Sequence, residues 1–152
     1  MKKIQDHITL LLPDGKISVP ILIQYDDGEN ACGKVEITLI YNGLLYQGKG
    51  TDCLWADAFA DLQRKLPRDV QLGCCMTCAH GNTCPYGNEV NTLFCTKDIA
   101  ITSKEDMLYL FDRTDPYAER AVSSIHYCEH FIYQSEDRYT YNDYFYLLKN
   151  NR

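Results

Sequence analysis

The chain lacks the marks of most well-defined enzyme classes. It has no Gly-rich phosphate-binding loop, no Ser-centred nucleophile elbow, and neither a His-Glu-x-x-His nor a His-x-Glu with Pro-Cys-x-x-Cys pattern. Nucleotide hydrolysis, α/β-hydrolase chemistry and the common zinc hydrolase and deaminase chemistries have no residues to rest on. Positive charge is short as well: 15 Lys and Arg against 21 Asp and Glu leave a net charge of −6. Phosphate contacts need a cationic surplus, so this balance argues against a nucleic-acid or anionic-membrane binder. Arg64, Lys65 and Arg68 form the one basic run, which reads as the solvated end of a helix. No apolar run approaches the roughly 20 residues of a transmembrane helix. Met1-Lys2-Lys3 opens like a secretion signal, but Asp6 and His7 interrupt it and the apolar run Ile8 to Leu12 is too short. The expectation is a cytoplasmic protein with no membrane partner.

Repeats and low-complexity linkers are also missing. With 152 residues, 45% hydrophobic and 12% aromatic, the composition predicts a packed core in one domain, residues 1–152. Its parts are a sheet-helix layer over 1–72, a Cys-rich region over 73–131 and a Tyr-rich tail over 132–152.

The expected fold class is α+β. Ile8 to Leu12, Lys16 to Tyr25, Val35 to Tyr41 and Leu44 to Gly48 carry β-branched or alternating apolar residues between turn signals. Pro13-Asp14-Gly15 and Asn42-Gly43 are the turns, the second the strongest hairpin signal in the chain. Pro20 predicts a bulge or an edge position. An antiparallel meander of about four strands follows. Leu54, Trp55, Ala58, Phe59, Leu62 and Leu66 then share one helical face, with Thr51 or Asp52 as cap and Pro67 as stop. Trp55 and Phe59 should cover the sheet. Beyond Cys95, Thr96 to Thr102 reads as a strand. Thr102 with Glu105 and Ser103 with Asp106 offer capping boxes for a helix through Leu110, and Asp115-Pro116 starts another. Asn142 can cap a short terminal helix.

What the chain has in plenty is cysteine. Five of eight fall between Gly73 and Cys95, and Cys128 follows between His126 and His130. In a reducing compartment such a set reads as thiols or metal ligands rather than disulfides. Cys75 and Cys78 form a C-x-x-C pair, whose sulfurs can converge on one ion from a tight turn. Cys74 is adjacent to Cys75, and neighbouring side chains of extended backbone point apart, so Cys74 is set aside. Cys95 ends the stretch Val90 to Phe94, read as a strand, and is a firmer anchor than Cys84 in its turn-rich loop. Cys128 closes the set. The expected ligands are Cys75, Cys78, Cys95 and Cys128, with Cys74, Cys84, His80, His126 and His130 in reserve. Cys32 and Cys53 have no partner at ligand spacing and read as small buried hydrophobes, although Cys53, near a helix start, can also be a reactive thiol. Zn²⁺ fits a closed four-thiolate shell, and a 4Fe–4S cluster takes the same ligands.

Cys75-x-x-Cys78, a Gly-containing loop, a lone Cys95 and Cys128-x-x-Phe131 resemble the pattern of an uncharacterised family of small bacterial domains. His80-Gly81-Asn82 and Pro85-Tyr86-Gly87-Asn88 add to the likeness. The resemblance spans about residues 35 to 131 and implies a four-cysteine metal site, with no function attached. Three functions are compatible with these residues. The first is a metal-stabilised binding or interaction module, with a protein partner or a second copy of the chain, and the tail tyrosines as interface residues. The second is an iron–sulfur redox or sensing protein. The third, a thiol- or zinc-dependent enzyme, has the least support, because Ala79-His80-Gly81-Asn82 is poor helix material for a redox C-x-x-C.

Overall fold

Alternating apolar and polar residues pair four consecutive strands in this computed structural model, which describes residues 2–26, 33–50, 54–87 and 91–150. β1 (Lys2–Leu12), β2 (Gly15–Tyr25), β3 (Val35–Tyr41) and β4 (Leu44–Gly50) form the expected antiparallel meander. Both central residues of the β3–β4 turn lie at positive φ, Asn42 at 50° and Gly43 at 74°, as a type I′ hairpin requires. A fifth strand, β5 (Gln71–Gly73), adds to the far side of β1, giving the order β4-β3-β2-β1-β5.

No bulge forms at Pro20. It lies opposite His7 in an unbroken β1–β2 register, while the β2–β3 pairing begins one residue later, at Ile21 opposite Leu39. The missing N–H thus falls where no ladder bond is made.

One face of the sheet carries Ile8, Leu10, Ile21, Ile23, Val35, Ile37 and Leu39, all buried in one cluster with the apolar face of α1 (Trp55–Lys65). Each such side chain contributes about 1.5–3 kcal/mol by leaving water. Phe59 and Leu62 of α1 are fully enclosed, and Trp55 packs edge-on to Tyr25 at 5.2 Å. The expected caps Thr51 and Asp52 lie outside the described residues. Asn91 serves the helix start, its Oδ1 accepting the Trp55 amide at 3.0 Å.

The second half is built from short pieces. A 3₁₀ turn spans Cys75–Thr77. A small antiparallel sheet has β7 (Leu93–Cys95) between β6 (Gly81–Asn82) and β8 (Ala121–Val122). The strand expected from Val90 is therefore shorter and later. The strand expected over Thr96 to Thr102 is absent: the Ile99 amide turns back to the Thr96 carbonyl at 3.2 Å, and Arg120 holds the Asp98 carboxylate by two bonds, at 2.6 and 3.1 Å. α2 (Lys104–Arg113) runs past Leu110. Its start is held by Asp106, which accepts from the Thr102 amide and hydroxyl at 2.8 and 2.9 Å, whereas Ser103 makes no side-chain cap bond. α3 (Pro116–Glu119) is capped by Asp115. The tail ends in α4 (Tyr144–Asn150), where Asn142 Oδ1 accepts the Tyr144 amide at 2.8 Å. α4 lies on α1, with the Arg64 guanidinium donating to the Leu147 carbonyl at 3.2 Å. Among the described residues no helix is long and apolar enough to cross a membrane.

Candidate metal centre

Two tight turns lie on neighbouring segments of chain. In the first, the Cys78 amide bonds the Cys75 carbonyl at 3.2 Å; in the second, the Phe131 amide bonds the Cys128 carbonyl at 3.1 Å. Cys95 ends β7, opposite Gly81 of β6, and lines one cleft with Cys75 and Cys128. The segments are joined by backbone bonds: the Cys75 amide to the His126 carbonyl at 2.8 Å, the Met76 amide to the Ser124 carbonyl at 3.0 Å, and the Ala79 amide to the Ile132 carbonyl at 2.7 Å. Four thiols from three stretches of chain therefore share one neighbourhood.

Charge behaviour follows from that placement. Burial pushes the Cys75 thiol up, and ionised neighbours at Cys74, Cys78, Cys95 and Cys128 would push it further. Cys78 is raised by burial and by the Cys95 and Cys128 thiols, while amides of Ile132 and His80 pull the other way. The His80 amide reaches the Cys78 sulfur at 3.4 Å. Thiols held protonated are poor nucleophiles near neutral pH. As they stand, no three His, Cys, Asp or Glu side chains among the described residues are gathered to hold an ion.

The reserves separate clearly. Cys74 belongs to the main apolar core, fully enclosed, with its thiol 3.8 Å from the Thr77 hydroxyl; burial raises it to about 11. Cys84 is buried beside Leu54, Met76 and Tyr141. His126 lines an open cleft of about 560 Å³ with Cys75, Cys95, Cys128, Glu119 and Arg120. His80 and His130 are neighbours of each other, His80 lining a different cleft. Cys32 and Cys53 lie outside the described residues. Phe131, at the end of the second turn, packs between Tyr127 and Tyr133 at ring distances of 5.8 and 4.8 Å.

The sequence reading missed what holds the first turn in place. The Gln134 amide donates to the Met76 and Cys78 carbonyls at 2.9 and 3.2 Å. The Asn142 amide donates to the Met76 and Gly81 carbonyls at 2.9 and 3.0 Å. The Thr140 hydroxyl donates to the Ala79 carbonyl at 2.9 Å. Asn82 accepts the Tyr141 amide at 2.7 Å and donates to the Thr96 hydroxyl at 2.9 Å. Inside the turn, Thr77 donates to the Leu72 carbonyl at 2.8 Å. The one available signal was a set of amide and hydroxyl residues spaced among the tail tyrosines.

No family model, no curated protein and no solved structure matches this chain.

Proposed function

We propose that Cys75, Cys78, Cys95 and Cys128 hold one Zn²⁺ and that the chain is a metal-stabilised binding module. The observation that carries this reading is that the thiols of Cys78, Cys95 and Cys128, from three chain segments, all lie near enough to Cys75 to act on it. Donor chemistry supports it: thiolate sulfur suits zinc, and amides of His80 and Ile132 directed at Cys78 stabilise sulfur as an anion. Bound Zn²⁺ would supply a cross-link and the positive charge that makes ionising crowded thiols favourable. Six free cysteines among the described residues suit a reducing, cytoplasmic setting. A protein partner is favoured over catalysis because Ile40, Leu44 and Leu45 stand exposed at the β3–β4 end of the sheet.

Elemental analysis of freshly purified protein and of single Cys→Ser variants tests the reading. Zinc near one per chain is expected, lost on Cys75→Ser, Cys78→Ser, Cys95→Ser or Cys128→Ser and retained on Cys84→Ser. Full metal content in Cys75→Ser and Cys78→Ser would overturn it. Iron with acid-labile sulfide and brown colour would instead support a cluster on the same residues, a reading favoured by the open cleft beside three of them.

A further inference from the structure

Among the described residues, one side-chain nitrogen is sealed from solvent with no hydrogen-bond partner: Nε of Arg120. Both terminal nitrogens of the same guanidinium are engaged. Nη1 donates to the Cys95 carbonyl at 3.0 Å and to Asp98 Oδ1 at 2.6 Å, and Nη2 donates to Asp98 Oδ2 at 3.1 Å. A buried donor without an acceptor is costly, and native folds keep few of them. Its acceptor has to come from a group already beside it.

The pairing of β7 with β8 sets what lies there. Leu93 stands opposite Val122 and Phe94 opposite Ala121, and one step further the Cys95 amide donates to the Arg120 carbonyl at 3.0 Å. Cys95 and Arg120 are therefore cross-strand neighbours, whose side chains can reach each other. Both line the cleft of about 560 Å³ beside the cysteines. Asp98, Glu119 and Cys95 lie near enough to act on the guanidinium as negative charges. Asp98 already uses both oxygens on the terminal nitrogens, and Glu119 is exposed. The Cys95 sulfur remains. As a thiol it is a weak acceptor, which accounts for the idle donor. As a metal-bound thiolate it accepts strongly.

We propose that Arg120 is a positioning residue of the metal centre, its Nε–H donating to the Cys95 sulfur when that sulfur binds Zn²⁺. This role rests on the zinc reading of the four cysteines. The bond would hold the thiolate in the shell and offset the surplus negative charge of four thiolates on one divalent ion. Asp98 grips the guanidinium end-on, which leaves the Nε edge free for it. Cys78 has a matching donor from the backbone, since the His80 amide reaches its sulfur at 3.4 Å. Removing a partner of this kind, bonded to a ligand rather than to the ion, costs about 10–100-fold in metal affinity.

The test is zinc affinity by chelator competition on the full chain, with the Arg120 Nε–H signal followed in ¹⁵N-labelled protein. The parent chain should bind one zinc, and on loading its Nε–H signal should move downfield and exchange more slowly. Arg120→Gln should still bind one zinc, with affinity lower by about 10–100-fold. Asp98→Asn keeps the donor and loses only a pair exposed on the Asp98 side, so it should bind within about threefold of the parent. The Nε–H signal is read on the unmutated chain and decides the matter even where Arg120→Gln fails to fold. Equal affinity in Arg120→Gln, an Nε–H signal indifferent to zinc, or an equal loss in Asp98→Asn would overturn the role of Arg120 and leave the zinc reading standing. A parent chain that binds no zinc would overturn both.

Discussion

Gly81 records how closely the first cysteine turn folds on itself. A methyl group there would sit 2.0 Å from the Cys75 carbonyl oxygen, well inside contact distance. Gly81→Ala must therefore push the turn away from β6, at a cost of about 1–3 kcal/mol typical of overpacking. A lower urea midpoint with unchanged slope, measured in chelator, is the expected outcome. Asp98 is a milder case. The Arg120 guanidinium holds its carboxyl below the usual range, so its contribution is present above the unfolded value near 3.9 and is lost as pH falls through the lowered folded value. The pair is largely exposed on the Asp98 side, which limits it to less than about 1 kcal/mol. Asp98→Asn should therefore be slightly less stable than the parent chain at pH 7, with the gap closing below about pH 4 in thermal melts. Neither partnership was legible from the chain alone. Cys75 lies six positions before Gly81 and Arg120 twenty-two after Asp98, and nothing local announces the meeting.

At the level of elements, legibility follows the range of the interactions. β1 to β4 and α1 could be read because period-two and helical spacing are local, and Asn42-Gly43 fixes its own turn. β5 could not, since three residues become a strand only by pairing with β1, some 60 positions earlier. The run after Cys95 misled because its branched residues favour a strand by propensity, while Arg120 fixes Asp98 in a turn. The tail misled in another way. Its tyrosines drew attention as interface residues, yet its anchors are Gln134, Thr140 and Asn142, bonded to carbonyls 56 to 66 residues away. Gln134 is buried, and its amide alone serves two carbonyls of the turn. Gln134→Leu keeps the volume, takes one of two donors from each carbonyl and removes the acceptor of the Phe145 amide, so a loss of about 1–3 kcal/mol is expected in denaturant unfolding. Tyr146→Ala, at an exposed position of α4, should stay within about 0.5 kcal/mol of the parent.

Across the whole molecule, the two halves are held by different forces. The sheet and α1 are held by a continuous apolar cluster. The segments around the cysteines are short, and in them side-chain-to-backbone hydrogen bonds replace regular ladders. Each such bond adds only about 1 kcal/mol net. If the ion proposed at Cys75, Cys78, Cys95 and Cys128 clasps these segments, its removal should be felt locally before it is felt globally. Hydrogen exchange with and without EDTA reads this residue by residue. Amides of Cys75, Met76, Ala79, Cys95 and Phe131, all in backbone bonds across the two turns and β7, should lose protection by about 100-fold or more, equivalent to about 2.7 kcal/mol of linked binding. Amides in the β1–β2 ladder from Ile4 to Leu10 should change far less. A uniform loss across both sets would mean that the halves unfold as one unit and that the ion supports the entire fold. No loss in the first set would mean that the hydrogen-bonded tail, through Gln134 and Asn142, is the true clasp, and that the four thiols meet for a reason other than stability.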